Sequence, residues 1–231
     1  MSNKNKNRKL GTWSVIRLFL LGLVLFVLGL AIQSKKTATL EAMEIEVTAL
    51  SDNKYLINKK DVHRLILDHL GYEPNNINIK NLDLHQLEKM IERDQRVDEA
   101  QLYVDKHNRL HVKVNQKVPV VRIEDKSSAY YLDKRGSFIP TVEKVAVRVP
   151  IATGNIGSYD ELTLKKKGTV LHDLLQMVNY ISEDDFLLSL VEQIDVEDDG
   201  EMIIVPKVGR NTIEFGNIDH HMKRHIALAA G

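Results

Sequence analysis

No cysteine occurs in the 231 residues, which excludes disulfides, thiol nucleophiles and thiolate metal sites together. Proline and glycine are sparse, at five and twelve, and aromatic residues make up only 6%. Neither a repeat nor a low-complexity segment interrupts the chain. Net charge is also missing, because 32 Lys and Arg balance 32 Asp and Glu. The balance is uneven along the chain. Lys4, Lys6, Arg8, Lys9 and Arg17 fall within the first 17 residues, where there is no acid, leaving 27 basic against 32 acidic side chains in the rest. A basic tip on a mildly acidic body lacks the basic face that phosphate binding needs, so nucleic acid is excluded as the main partner.

What the chain does have is one long apolar run. Residues 13–32 read WSVIRLFLLGLVLFVLGLAI, and from Leu18 to Ile32 no side chain is polar. Twenty helical residues span about 30 Å, the thickness of a hydrocarbon core. Arg17 is close enough to the boundary to carry its charge back to the interface, and Trp13 suits the same depth. Basic residues precede the run, and only Lys35 and Lys36 closely follow it. The positive-inside rule therefore puts residues 1–12 in the cytoplasm and the bulk of the chain outside. The length of the run and the lack of an A-x-A site before Lys35 favour an uncleaved anchor over a removed signal peptide.

Beyond a linker at residues 34–43, periodicity gives a strand over 44–50 and a helix over 58–71. Asn58 and Asp61 stand at capping spacing, Val62, Leu65, Ile66 and Leu70 form a stripe, and Gly71 supplies the stop. Asp83 and Gln86 open a second helix carrying Leu84, Leu87 and Ile91. Alternation then predicts strands on either side of a KHN turn, with Ala100, Leu102 and Val104 on the first and Leu110, Val112 and Val114 on the second. The order over 44–115 is β-α-α-β-β. After Gln116 the pattern predicts short strands at 118–123, 129–132, 137–139 and 145–149 and helices at 169–181 and 185–191. Strands at 194–196, 202–205 and 211–215 follow, and then a helix after Asp219. This second domain, 116–231, reads as mainly β with packed helices, in an α+β chain.

No constellation carries chemistry. His220, His221 and His225 form HHxxxH, but the glutamate of a metalloprotease helix is absent, so solvated histidines are expected rather than a metal site. DVEDDG, residues 195–200, lacks the alternating ligands and distal glutamate of a calcium loop and reads as an acidic hairpin turn. KKKGT, residues 165–169, has none of the upstream glycines of a phosphate loop. Gly154, Gly157 and Ser158 make neither a nucleophile elbow nor a dinucleotide fingerprint. The expectation is no enzyme, no cofactor, no metal and no small-molecule substrate.

The order of parts and three local stretches resemble the FtsQ/DivIB family of bacterial cell division proteins. LHVKVNQKVPVVRI, residues 110–123, resembles the family's passage from a membrane-proximal POTRA domain into its β domain. YYLDKRGSFIP, residues 130–140, is similar to the family's Y-L-x-D-x-x-G hairpin. TIEFG, residues 212–216, resembles the stretch before the family's final strand. Val121 stands where the family commonly has alanine, the amino-terminal tail is short, and the final strand is expected to be missing after Gly231.

The resemblance implies a tail (1–12), a signal-anchor helix (13–33), a POTRA-like domain (44–115) and a β domain (116–231). It implies a bitopic inner-membrane protein of the division septum, type II, with its carboxy-terminal domains periplasmic or extracytoplasmic. Such a protein is a non-enzymatic divisome scaffold that links early and late division proteins. It binds FtsB- and FtsL-type partners to help control septal peptidoglycan synthesis. The implied partner edge holds Thr212, Ile213 and Phe215, with Arg210 as a rim charge. Pro119, Arg122, Asp133 and Gly136 are expected to fix the joint between the domains. The alternative is a membrane-anchored extracytoplasmic binding or sensor protein of unknown ligand.

Overall fold

A computed structural model of the chain describes residues 12–35, 38–74, 77–125, 128–209 and 211–216. The apolar run lies in helix α1 (Thr12–Lys35), whose 24 residues would extend about 36 Å at the usual rise. Side chains on α1 are described without interruption only from Phe19 to Leu28, and they are exposed. Among the described residues, no helix is long and apolar enough to cross a membrane. The expected anchor is therefore met in its helical conformation and no further.

The first folded unit contains β1 (Ala42–Thr48), α2 (Lys59–Leu70), α3 (Leu84–Glu92), β2 (Val97–Val104) and β3 (Arg109–Gln116). Its sheet has the order β1-β3-β2, with β1 parallel and β2 antiparallel to the central strand. Helix α2 starts where its sequence says it should. The Asn58 side chain accepts from the Lys60 and Asp61 N–H groups, and the Asp61 carboxylate accepts from the Asn58 N–H, which closes a capping box. Gly71 ends the helix in the left-handed region at φ 76°, where a side chain would be strained. Val62 and Ile66 of α2 and Leu87 and Ile91 of α3 pack on Val97, Leu102, Leu110, Val112 and Val114. Burying each such aliphatic side chain contributes about 1.5–3 kcal/mol.

The second unit is a seven-stranded sheet, ordered β10-β9-β8-β7-β4-β5-β6. In chain order its strands are β4 (Pro119–Glu124), β5 (Ala129–Asp133), β6 (Phe138–Pro140), β7 (Ile151–Gly154), β8 (Val191–Val196), β9 (Met202–Pro206) and β10 (Ile213–Gly216). The centre, β4-β7-β8, is parallel and the flanks are antiparallel. Helices α4 (Glu161–Lys165), α5 (Val170–Ser182) and α6 (Asp185–Leu190) lie between β7 and β8 in sequence. Capped by Thr169, α5 buries Leu171, Leu174, Leu175, Met177, Val178 and Ile181. These residues join Val121, Ile123, Ala152, Ile194 and Ile204 in one core.

One expected strand does not form, and one that was not expected does. Residues 145–149 make only an isolated bridge, between Val142 and Val145. Their valines nevertheless share a face: Val145, Val147 and Val149 cover a small cluster of Leu50, Leu56, Tyr131 and Ile139. Alternation there reflects one-sided burial without a ladder. The strand that does pair is β7, whose four residues IATG are too few for a period to declare itself. Gly154 sits at φ 95°, and a Cβ there would lie 2.1 Å from the Val196 carbonyl oxygen, so the β7–β8 approach requires glycine.

Candidate functional site: the joint and the sheet edges

Gln116 ends β3 at an inward-facing position and is 5% exposed. Its amide is fully used. Nε2 donates to the carbonyls of Thr48 at 2.7 Å and Lys54 at 3.2 Å, and Oε1 accepts from the Leu56 N–H at 2.7 Å. The loop from Thr48 to Leu56 is thereby fastened to the last strand of the first unit. Leu50 and Leu56 on that loop then meet Tyr131 and Ile139 of the second unit. Polar contacts frame this contact: the Lys54 ammonium donates to the Ala146 carbonyl, Arg135 pairs with Asp98, and the Lys117 N–H donates to the Arg96 carbonyl at 2.9 Å. Arg96 also donates to the Leu56 carbonyl at 3.2 Å and pairs with Asp94 at 2.7 Å. Burial opposes ionisation of Asp94, but hydrogen bonds from the Arg96 side chain and backbone outweigh it and hold the carboxyl below its ordinary range.

The residues singled out from sequence fall at several places around this joint. Pro119 is buried, opens β4 beside a register shift, and pairs with Asp133, a position that suits a residue with no N–H. Asp133 is 4% exposed, and its carboxylate accepts from the N–H groups of Arg135 at 2.9 Å and Ser137 at 2.7 Å. That bonding shapes the turn from which Arg135 reaches Asp98 in the first unit. Gly136, at φ 79°, faces Leu164 and Leu175, and its carbonyl accepts from the Tyr159 hydroxyl at 3.2 Å. Its neighbours thus belong to the second unit. Arg122 donates its N–H to the Pro150 carbonyl at 2.9 Å, pairs with Glu124 at 2.7 Å, and lies 6.0 Å over the Tyr131 ring.

Sequence reasoning missed Gln116, Lys54, Leu56 and Arg135. Gln116 did leave a signal, because it continues the inward series Leu110, Val112, Val114 with a polar side chain.

At the far end, β10 is the edge strand of the seven-stranded sheet and, among the described residues, pairs only with β9. Thr212 is exposed and Ile213 half-buried, while Phe215, 8% exposed, belongs to the core. The opposite edge, β6, has three residues and ends on Pro140. Arg210, His220, His221, His225 and the helix expected after Asp219 lie outside the described residues. The acidic hairpin joins β8 to β9, with the carboxylates of Glu197, Asp199 and Glu201 within 4.8 Å of one another and all three residues exposed.

Two comparisons with known families match this architecture. Residues 39–115 match the POTRA-like domain, and residues 118–230 match the family described as FtsQ/DivIB, C-terminal related. No curated protein matches the chain. Both matched families are scaffold-type domains without catalysis. A POTRA-like domain followed directly by the C-terminal related domain supports an FtsQ/DivIB family assignment for the chain.

Proposed function

We propose that the chain is a non-catalytic, bitopic scaffold of the division machinery that receives an extended segment of an FtsB- or FtsL-type partner along β10. The observation that carries this reading is the inequality of the large sheet's two edges. A three-residue edge ending in proline resists strand addition, whereas β10, among the described residues, leaves a row of backbone groups beside a half-buried Ile213. Backbone hydrogen bonds would supply affinity, and alternate side chains would supply specificity. In this reading Thr212, Ile213 and Phe215 form the receiving edge, with Arg210 at its rim. Pro119, Arg122, Asp133 and Gly136 hold the second domain at its angle to the first.

The anchor rests on residues 13–33. Their run is apolar, they lie in a helix of 24 residues, and basic residues precede them, which supports a cytoplasmic amino terminus and domains outside an inner membrane. The domain boundaries proposed are 1–12, 13–33, 34–43, 44–115 and 116–231.

Because the chain has no cysteine, Thr212→Cys or Glu214→Cys introduces a unique thiol. Disulfide trapping against cysteines scanned along the partner segment is expected to alternate with a period of two. Trapping with no periodicity would overturn augmentation at this edge. Fluorescent localisation with depletion tests the role in the cell, and uniform envelope staining with normal septation would overturn it.

A further inference from the structure

Helix α1 stops a short distance before the first unit begins. Its last residue is Lys35, and by Ala38 the chain already belongs to the fold. The Ala38 carbonyl accepts from the Ile79 N–H at 3.0 Å, and the Leu40 N–H donates to the Ile77 carbonyl at 2.8 Å. Three peptide units separate Lys35 from Ala38, and fully extended they span about 11 Å. The apolar run ends at Ile32, and the helical rise from there to Lys35 adds about 4.5 Å. With α1 inserted as proposed, Ala38 is therefore at most about 16 Å from the hydrocarbon, of which the headgroup layer takes about 5–7 Å. The remaining gap, about 10 Å at most, is one Debye length at physiological salt.

The bonds at Ala38 and Leu40 gather one end of the first unit around this tether. Thr39 bridges Asn78, and the Glu41 N–H donates to the Asn108 carbonyl at 2.9 Å, so residues 77–81 and the turn at 105–108 both lie there. Strands β1 and β3 are parallel and lead about 20 Å from this end to Thr48 and Gln116. The loop from Thr48 to Leu56 is thus at the opposite end.

We infer that the end of the first unit carrying Lys80 and the 105–108 turn rests on a phospholipid headgroup layer, held there by the short tether. The inference depends on the proposed anchor at residues 13–33. Lys80 and Lys106 are exposed, and among the described residues neither pairs with an acid. The acid of the turn, Asp105, is already occupied. It accepts from the N–H groups of His107 at 2.8 Å and Arg109 at 2.9 Å, and it pairs with the Arg109 guanidinium at 2.9 Å. Glu41 at this end and Asp83 beyond the 77–81 segment are also exposed. The end therefore has no surplus of positive charge, and its ligand is the phosphate that every phospholipid presents. Each lysine contact is weak by itself, and the tether makes it effective by keeping the local concentration of headgroups high.

The test uses the full chain in phosphatidylcholine nanodiscs that carry contact-quenching nitroxides. Because the chain has no cysteine, His107→Cys, Ser51→Cys and Leu25→Cys each provide one site for a bimane label. Headgroup nitroxide is expected to quench position 107 about threefold more than Ser51, an exposed position about 20 Å farther along the unit. Leu25, near the middle of α1, reports insertion through a nitroxide placed deep in the acyl chains. A Gly/Ser insertion of about twelve residues after Lys36, adding about 20 Å of reach, is expected to remove the difference between 107 and 51. Lys80→Glu with Lys106→Glu is expected to lower quenching at 107 by about half. Equal quenching at 107 and 51, with Leu25 quenched in the acyl region, would overturn this inference and leave the anchor standing. An unquenched Leu25 would overturn the anchor and the inference with it. Unchanged quenching at 107 in the lengthened or the charge-reversed chain would overturn the inference alone.

Discussion

Gln116 occupies a strand position where alternation calls for an apolar side chain, and its three hydrogen bonds repay that departure. Truncation would take the acceptor from the Leu56 N–H and a donor from the Thr48 carbonyl, while the Lys54 carbonyl keeps the Leu50 N–H. Gln116→Ala is therefore expected to destabilise the protein by about 2–3 kcal/mol, read from urea denaturation. Gln116→Leu, which restores bulk but no polar partner, should recover little of the loss. Asp94 acts through charge. Its folded pKa lies below its usual value, so its contribution is fully present above about pH 4 and is lost as pH falls through the lower folded value. The stability gap between the natural protein and Asp94→Asn is expected to stay constant from pH 7 to 5 and to shrink below pH 4, measured by denaturant midpoint.

Among elements, the helices were the most legible, because their caps are local. Asn58 with Asp61, Asp83, Thr169 and Asp184 all accept backbone N–H groups where the sequence changes to helical spacing. Strands were less so. Residues 145–149 have the period of a strand but cover the Leu50–Tyr131 cluster as extended chain, while β7 has the central pairing without a readable period. Gly154→Ala tests that centre. With a Cβ 2.1 Å from a backbone oxygen, β7 and β8 must separate, and a loss of about 3 kcal/mol or more is expected in thermal denaturation. Gly136→Ala instead meets the ends of Leu164 and Leu175 and should cost less. The Leu102 N–H donates to Glu88 Oε1 at 2.7 Å and the Ala100 N–H to Glu92 Oε1 at 3.2 Å, so two carboxylates of α3 cap the outer edge of β2, which makes a separate prediction. Glu88→Ala with Glu92→Ala is expected to lower stability by about 1.5–3 kcal/mol and to give concentration-dependent association in sedimentation, because two outward donors are freed.

For the molecule as a whole, the two folded units meet through a small apolar cluster and a few polar links. The resemblance legible in PVVRI and YYLDKRG gave an expected joint at Pro119, Arg122, Asp133 and Gly136. It did not reveal the loop from Thr48 to Leu56, whose role depends on contacts 60 or more residues apart. A single chain carries little trace of such pairing, since each partner looks ordinary in its own neighbourhood. Val147→Asp puts a charge into the cluster from its covering segment and leaves both sheets intact. It is expected to raise the radius of gyration in small-angle scattering and to split the thermal transition in two. An unchanged envelope would mean that the polar links alone hold the angle.

The carboxylates over β2 also limit how copies of the protein can assemble. A sheet open at both edges can join head to tail without end, each copy offering one edge and accepting at the other, which produces a filament. With β2 sealed by Glu88 and Glu92, the first domain has a valence of one. Copies that meet through this sheet can therefore pair but cannot extend into a filament through β2.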